Sequence, residues 1–266
     1  MRDSGGSFEK VVIVILLSAG GGLLLKLGAS AAPQELQIAT YASNLEARTP
    51  AQRLNARLAA QAVDNYILPP GGIFSFNHVV GSWSADRGYV RAPVSYDGKL
   101  ILAFGGGVCQ TSSTLYNAAL LSGLKILERH HHDFVAHYVP PGRDAAVAQY
   151  NIDLRFQNPY PWALRIRCYA AGYRLVASIL APKRPAQQVE VVTQVLERTE
   201  PERLTRTLHR DQFAGTRAYV RNPGSEGYRT LTWRIFSQDG KDVRRQLLGD
   251  DTYGAMNRIV QIVEGE

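Results

Sequence analysis

Three consecutive glycines, Gly105-Gly106-Gly107, stand between a β-type apolar run and a helix-type run that opens with Val108-Cys109. Glycine populates positive φ without steric cost and lets other backbone come close, so the triplet marks a sharp strand-to-helix turn. Such a turn can also aim several N–H groups at one point. The helix is expected from about Cys109 to Leu121, with Gly123 placed to close it. Cys109 then sits in the first helical turn, where unpaired N–H groups and a partial positive charge favour thiolate over thiol. The amides that follow Gly107 are placed to hold the oxyanion of a tetrahedral intermediate, with Gln110 assisting. The plainer reading of the same residues is a tight turn with no ligand.

Only one other cysteine exists, Cys168, which excludes a disulfide-dense scaffold or a four-cysteine zinc site. The 266 residues are 45% apolar and 20% charged, which excludes a disordered chain. The net charge is +7, and 24 of the 30 basic residues are Arg scattered along the chain. That favours anionic surfaces in general, and no nucleic-acid partner is expected from it. Val11 to Leu25 carries no charge over fifteen residues and is bounded by Lys10 and Lys26. Fifteen is short of the roughly 20 a spanning helix needs and suits a signal-peptide core, with Ala29-Ser30-Ala31 as a cleavage site. Extended through Ala32, it becomes a tilted membrane anchor instead. Either reading of residues 1–32 places the rest of the chain outside the cytoplasm.

Thr49-Pro50-Ala51-Gln52 predicts a helix start, with Thr49 as cap, Pro50 at the first position and Gln52 completing a capping box. Leu54, Leu58, Ala62 and Tyr66 form its expected apolar stripe, and Pro69-Pro70-Gly71-Gly72 its end. Ile73 to Phe76 and Tyr89 to Phe104 read as short strands, the latter folded at Asp97-Gly98. Lys125 to Val139 reads as β. Trp162 to Tyr169, a turn at Ala171-Gly172, and Tyr173 to Leu180 read as a hairpin with Cys168 on its core face. After Ala181-Pro182-Lys183-Arg184-Pro185, taken as a linker, residues 187–266 alternate β-type runs with glycine turns. They predict a small all-β domain, clearest at Thr230 to Phe236, and suggest binding or spacing rather than chemistry. The fold class is thus α+β: residues 33–182 of mixed helices and antiparallel strands, then the all-β part.

A thiolate that transfers acyl groups needs a proton carrier and a group to orient it. Glu128-Arg129-His130-His131-His132-Asp133 supplies histidines, with His130 and His132 on one face of the expected strand and His131 on the other. Asp144 follows the Pro140-Pro141-Gly142 turn. The order Cys, His, Asp is that of transglutaminase-like cysteine enzymes, a likeness of arrangement. Two other readings stay open: a Cys109–Cys168 disulfide, and metal bound by His130, His132 and a carboxylate.

The run GGGVCQTSSTLYNAALLSGLKILERHHH, followed by YVPPGRDAAV, resembles the VanW-like domain, named from vancomycin-resistance gene clusters. The likeness extends from the helix near Asn55 and ILPPGGIFSFN to the LRFQNPYPWALRIR and YRLVASIL hairpin. The family's glycine triplet, Cys and Gln fall on Gly105, Gly106, Gly107, Cys109 and Gln110. Its Glu-Arg-x-x-His falls on Glu128, Arg129 and His132, and its Gly-x-Asp-Ala on Gly142, Asp144 and Ala145. Asp133 stands where the family usually has serine. The C-terminal run GSEGYRTLTWRIFSQDGKDVRRQLL is similar to G5 domains, all-β modules of surface proteins. The resemblance implies an envelope protein near peptidoglycan or another anionic wall polymer, and supplies no reaction. The expected site is Cys109 as nucleophile, His132 as base and acid, and Asp144 as orienting group, with His130 and His137 as alternate histidines. Arg129 or Arg143 is expected to meet a substrate carboxylate. No cofactor and no metal are called for.

Overall fold

In the computed structural model, residues 35–96, 99–149, 151–208 and 218–263 are described. The N-terminal apolar segment, the turn at Asp97-Gly98 and His209 lie outside the described residues. Among the described residues, no helix is long and apolar enough to cross a membrane.

Strand β1 (Leu36–Asn44) leads into helix α1 (Pro50–Val63) through the Thr49 cap. The capping box forms: the Gln52 amide donates to Thr49 Oγ1, and the Thr49 amide donates to Gln52 Oε1. The buried face of α1 is Asn55, Ala56, Ala59, Ala60 and Val63, whereas Leu54 and Ala62 are exposed. The expected leucine stripe is therefore displaced by one position. Small residues face inward because another helix packs closely there. Helix α1 also ends earlier than Pro69, at Asp64, because Asn65 takes a left-handed φ of 62°. Tyr66 then begins β2 (Tyr66–Leu68).

Next come β3 (Ile73–Ser75), the short helix α2 (Phe76–Val80) and a 3-10 turn at Ala85–Arg87. The hairpin β4 (Arg91–Tyr96) and β5 (Lys99–Phe104) delivers the chain to the glycine triplet. Helix α3 (Val108–Leu121) follows, with Cys109 as its second residue. It is buried on nearly every side and packs against α1 and β1. Its C-cap is Ser122, with Gly123 at φ 77° just beyond.

Strand β6 (Lys125–Glu128) is shorter than the expected run to Val139. Past Glu128 the chain keeps two isolated bridges, His130 to Ala146 and Phe134 to Gly254, and is otherwise irregular through Val139. Strands β7 (Arg155–Gln157), β8 (Leu164–Ala171) and β9 (Arg174–Ala181) complete this part. The order β1-β9-β8-β2 makes one antiparallel sheet, and β3-β7-β6 another. Cys168 is fully buried on β8 opposite Ala177. Both cysteines are free, so the disulfide reading does not hold.

The C-terminal strands are β10 (Gln188–Thr199), β11 (Arg203–Leu208), β12 (Ala218–Asn222), β13 (Gly227–Gln238), β14 (Lys241–Tyr253) and β15 (Arg258–Val263). They form sheets β10-β13-β14 and β11-β15-β12, with β11 and β15 parallel. The first sheet packs directly on the preceding part. Arg234 Nη1 donates to the Leu124 carbonyl at 2.6 Å, and Arg143 Nη1 to that of Val191 at 3.3 Å. From Gln34 onward the chain is one compact unit.

Candidate active site

The glycine triplet is explained first by packing. Gly106 lies against the carbonyls of Ala92 and Pro93, where a Cβ would sit under 3 Å from backbone atoms. Gly107 has φ 109° and lies against the Gln52 carbonyl at the start of α1. Asn55 fastens the turn from α1, its Nδ2 donating to the carbonyls of Gly106 and Val90 at 2.9 Å each. The turn consumes two of the amides expected for an oxyanion: Val108 donates to the Gly105 carbonyl and Gln110 to that of Gly107. Among the described residues, the amide of Cys109 itself has no hydrogen-bond partner.

Cys109 is partly exposed, and its sulfur lies 3.4 Å from the carbonyl oxygen of Val147. The His132 imidazole is near enough to act on that sulfur and is the strongest influence favouring its thiolate. His132 lies in the irregular stretch after β6, held there by Asp144, whose Oδ2 accepts from the His132 amide at 2.8 Å and meets Nδ1 at 2.5 Å. With Nδ1 occupied, Nε2 is the ring nitrogen left for the thiol. Asp144 is buried, and its Oδ1 accepts from Arg129 Nη2 at 2.9 Å and Tyr253 Oη at 2.6 Å. Ser113 ties the neighbouring residue to α3, accepting from the Ala145 amide at 2.9 Å.

The electrostatics follow from this geometry. Burial works to raise the Asp144 carboxyl, but the His132 hydrogen bond and charge and the Arg129 charge outweigh it, holding it well below the carboxylate range. Burial works to lower His132, but Asp144 and Cys109 outweigh it and push it up to about 10. Burial likewise works to raise the Cys109 thiol, yet His132 leaves it below its ordinary value. Cys168 is pushed up to about 12, first by burial and then by Asp64. The two thiols are thus shifted in opposite directions.

Several expected roles are not met. Gln110 does not face the site: its Nε2 donates to Ser43 Oγ and the Asn44 carbonyl, tying α3 to β1. Adjacent helix residues point about 100° apart, so a helix that turns Cys109 to the site turns Gln110 away. Arg129 is not free for substrate, since it donates to the Asp144 carboxylate and carbonyl and to Asp251 Oδ2 at 2.6 Å. Arg143 is engaged by Asn117 Oδ1 and the Val191 carbonyl and lies over the Tyr41 ring. His130 pairs with Glu128 at 3.2 Å, whereas His132 pairs with Asp144 at 2.5 Å, so the two histidines engage different carboxylates. Among the described residues no group of three potential metal ligands forms. His137 is exposed in a surface cavity of about 360 Å³ with Val135, Val139 and Glu226. A second cavity of about 540 Å³ is lined by Glu128, His130 and Asp251 among others, and neither cavity contains Cys109 or His132.

Tyr253 and Asp251 were not foreseen. They reach Asp144 and Arg129 from 109 and 122 positions away in the chain. Neither stands in a motif, so no local signal points to them.

Fold and site together define an α+β protein with a Cys–His–Asp constellation at a strand-to-helix junction. Residues 51–180 match the family model described as VanW like protein. It is 39% identical over 143 residues to the uncharacterized protein YoaR of Bacillus subtilis (strain 168), covering 54% of this chain and 47% of that one. It is 29% identical over 137 residues to the vancomycin B-type resistance protein VanW of Enterococcus faecalis (strain ATCC 700802 / V583), covering 49% and 50%. The chain thus spans about half the length of these curated relatives. Among solved structures it is similar to an IgA1 protease G5 domain, at 17% identity and TM-score 0.20, over 30% of this chain and 94% of that one.

Proposed function

We propose that this protein is an exported cell-envelope enzyme that uses Cys109 to cleave or transfer amide or ester bonds of peptidoglycan-associated peptides. The observation that carries the reading is that Asp144 holds the His132 ring by Nδ1 at 2.5 Å while the same imidazole acts on the Cys109 thiol. His132 Nε2 takes the thiol proton, and the thiolate sulfur attacks the carbonyl carbon of the substrate. The free Cys109 amide receives the oxyanion, a role that needs no movement of the turn. His132 then returns the proton to the departing amine or alcohol, leaving an acyl-thioester on Cys109. Water or a second amine, deprotonated by the same imidazole, releases the acyl group. Asp144 keeps Nδ1 protonated and the ring oriented throughout.

The envelope setting rests on the VanW-like match, the N-terminal apolar segment and the +7 charge, which suits peptidoglycan or another anionic wall polymer. The test is a Cys109→Ala replacement in the producing cell, followed by chromatography of wall peptides. An altered muropeptide profile is expected. An unchanged profile, with the variant still binding sacculi as the natural protein does, overturns the enzyme reading in favour of a non-catalytic wall-binding protein.

A further inference from the structure

A third arginine, Arg48, stands near this site without a carboxylate partner among the described residues. Arg48 closes the turn between β1 and α1, and that turn is fixed, because its amide donates to the Leu45 carbonyl and its carbonyl accepts from Arg53. The Arg48 side chain is half-buried, and its guanidinium carbon lies 5.0 Å from the centre of the Tyr138 ring. Among the described residues no carboxylate pairs with it, and its buried Nε has no hydrogen-bond partner. Tyr138 in turn stands edge-on to His132 at 6.5 Å between ring centres. Its hydroxyl is buried and likewise unpartnered. Ser113, the polar neighbour, directs its own hydroxyl to the carbonyls of Cys109 and Ala145.

Two buried donors without acceptors, side by side and next to a nucleophile, are an unusual pair, since buried polar groups are nearly always satisfied. What completes them must accept hydrogen bonds, and an anion suits best, because a half-buried guanidinium with only a ring face beside it still favours a negative partner. A single planar guanidinium with one hydroxyl beside it suits the flat, singly charged carboxylate. We propose that Arg48 and Tyr138 form a carboxylate-binding subsite beside Cys109, so that the acyl donor carries a free carboxylate close to the carbonyl under attack. This rests on the reading of Cys109 as nucleophile. It deepens that reading by separating peptides with a free carboxylate near the attacked bond from their amides.

Two alkylating agents of nearly equal size test it on the full chain. With either iodoacetate or iodoacetamide, the Cys109 thiolate forms an S–C bond to the methylene carbon and iodide departs. Only iodoacetate presents a carboxylate one carbon away. Labelling is followed by mass spectrometry of the Cys109 peptide. Arg48→Gln is expected to slow iodoacetate about tenfold, the scale of one lost charged hydrogen bond, while leaving iodoacetamide unchanged. Arg48→Lys restores part of the iodoacetate rate, and Tyr138→Phe slows it less than Arg48→Gln. An equal change with both reagents, or none with either, overturns the subsite.

A measurement on the unaltered protein guards against misfolded variants. Acetylalanine is expected to protect Cys109 from iodoacetamide, and acetylalanine amide is not. Equal protection by the two, or protection by inorganic phosphate as strong as by acetylalanine, overturns the carboxylate assignment. Failure of the nucleophile reading shows differently: iodoacetamide then labels Cys109 no faster at neutral pH than an ordinary thiol.

Discussion

Cys109 and Cys168 share a side chain and differ in what surrounds it. Cys168 faces an apolar interior and Asp64, which both disfavour the anion, whereas His132 offers Cys109 a positive partner. Alkylation of Cys109 by iodoacetamide is therefore expected to rise with pH through an inflection below the ordinary thiol value of about 8.5. His132→Ala should move that inflection upward, because the strongest influence opposing burial is then lost. An inflection that ignores the substitution rules out the pair. The same groups couple stability to pH. His132 is raised in the folded state, so its contribution is complete below its unfolded value of about 6.5 and disappears as pH climbs through about 10. Asp144 is depressed, so its contribution is present above its unfolded value of about 3.9 and disappears as pH falls. Both act together between roughly pH 4 and 6.5. The melting temperature of the natural protein should exceed that of His132→Ala most within that window and converge toward it at alkaline pH. A gap that is constant from pH 5 to 10 contradicts the assignment.

At the scale of elements, local chemistry was legible and tertiary direction was not. The Thr49–Gln52 box, the hairpin of β8 and β9, and the glycine turn into α3 each rest on residues close in sequence, and all are found. The histidine segment reads as part of the β-type run that starts at Lys125, while its geometry is imposed by Asp144 from outside the segment. Gln110 was misassigned because nothing local says which face of a buried helix meets β1. The triplet itself has a double role: it turns the chain and brings α1 and β4 against the backbone. Gly107→Ala should destabilise by at least about 2 kcal/mol, since it adds left-handed strain to a clash with the Gln52 carbonyl. Gly172→Ala, at φ 57° with open space around it, should cost about 1 kcal/mol by backbone strain alone. Urea denaturation of the two variants separates steric closeness from backbone strain, and equal losses would mean that packing at Gly107 adds nothing.

At the scale of the molecule, Asp144 and Arg129 are held by strands whose sequence suggests binding or spacing rather than chemistry. Tyr253, the last residue of β14, donates to Asp144 Oδ1 and accepts from the Gly142 amide at 2.8 Å. Asp251, two residues earlier, anchors the Arg129 that holds the other side of the same carboxylate. His132 is thus oriented by an aspartate that is itself held by residues of the C-terminal sheet. Tyr253→Phe keeps the ring and its edge contact with His131, and removes only the hydroxyl. Two buried groups then lose their partner, the Gly142 amide and one lone pair of Asp144, so a loss of about 1–3 kcal/mol is expected. The substitution should also weaken the hold on His132, lowering Cys109 labelling by iodoacetamide at neutral pH while Cys168 stays unlabelled. Asp251→Asn should act in the same direction through Arg129, and more weakly, because the amide oxygen still accepts. If both variants melt lower yet label at the natural rate, the C-terminal sheet supports the fold and not the chemistry. If labelling falls with stability little changed, the sheet is part of the active site, and VanW-like segments without such strands must orient their aspartate by other residues.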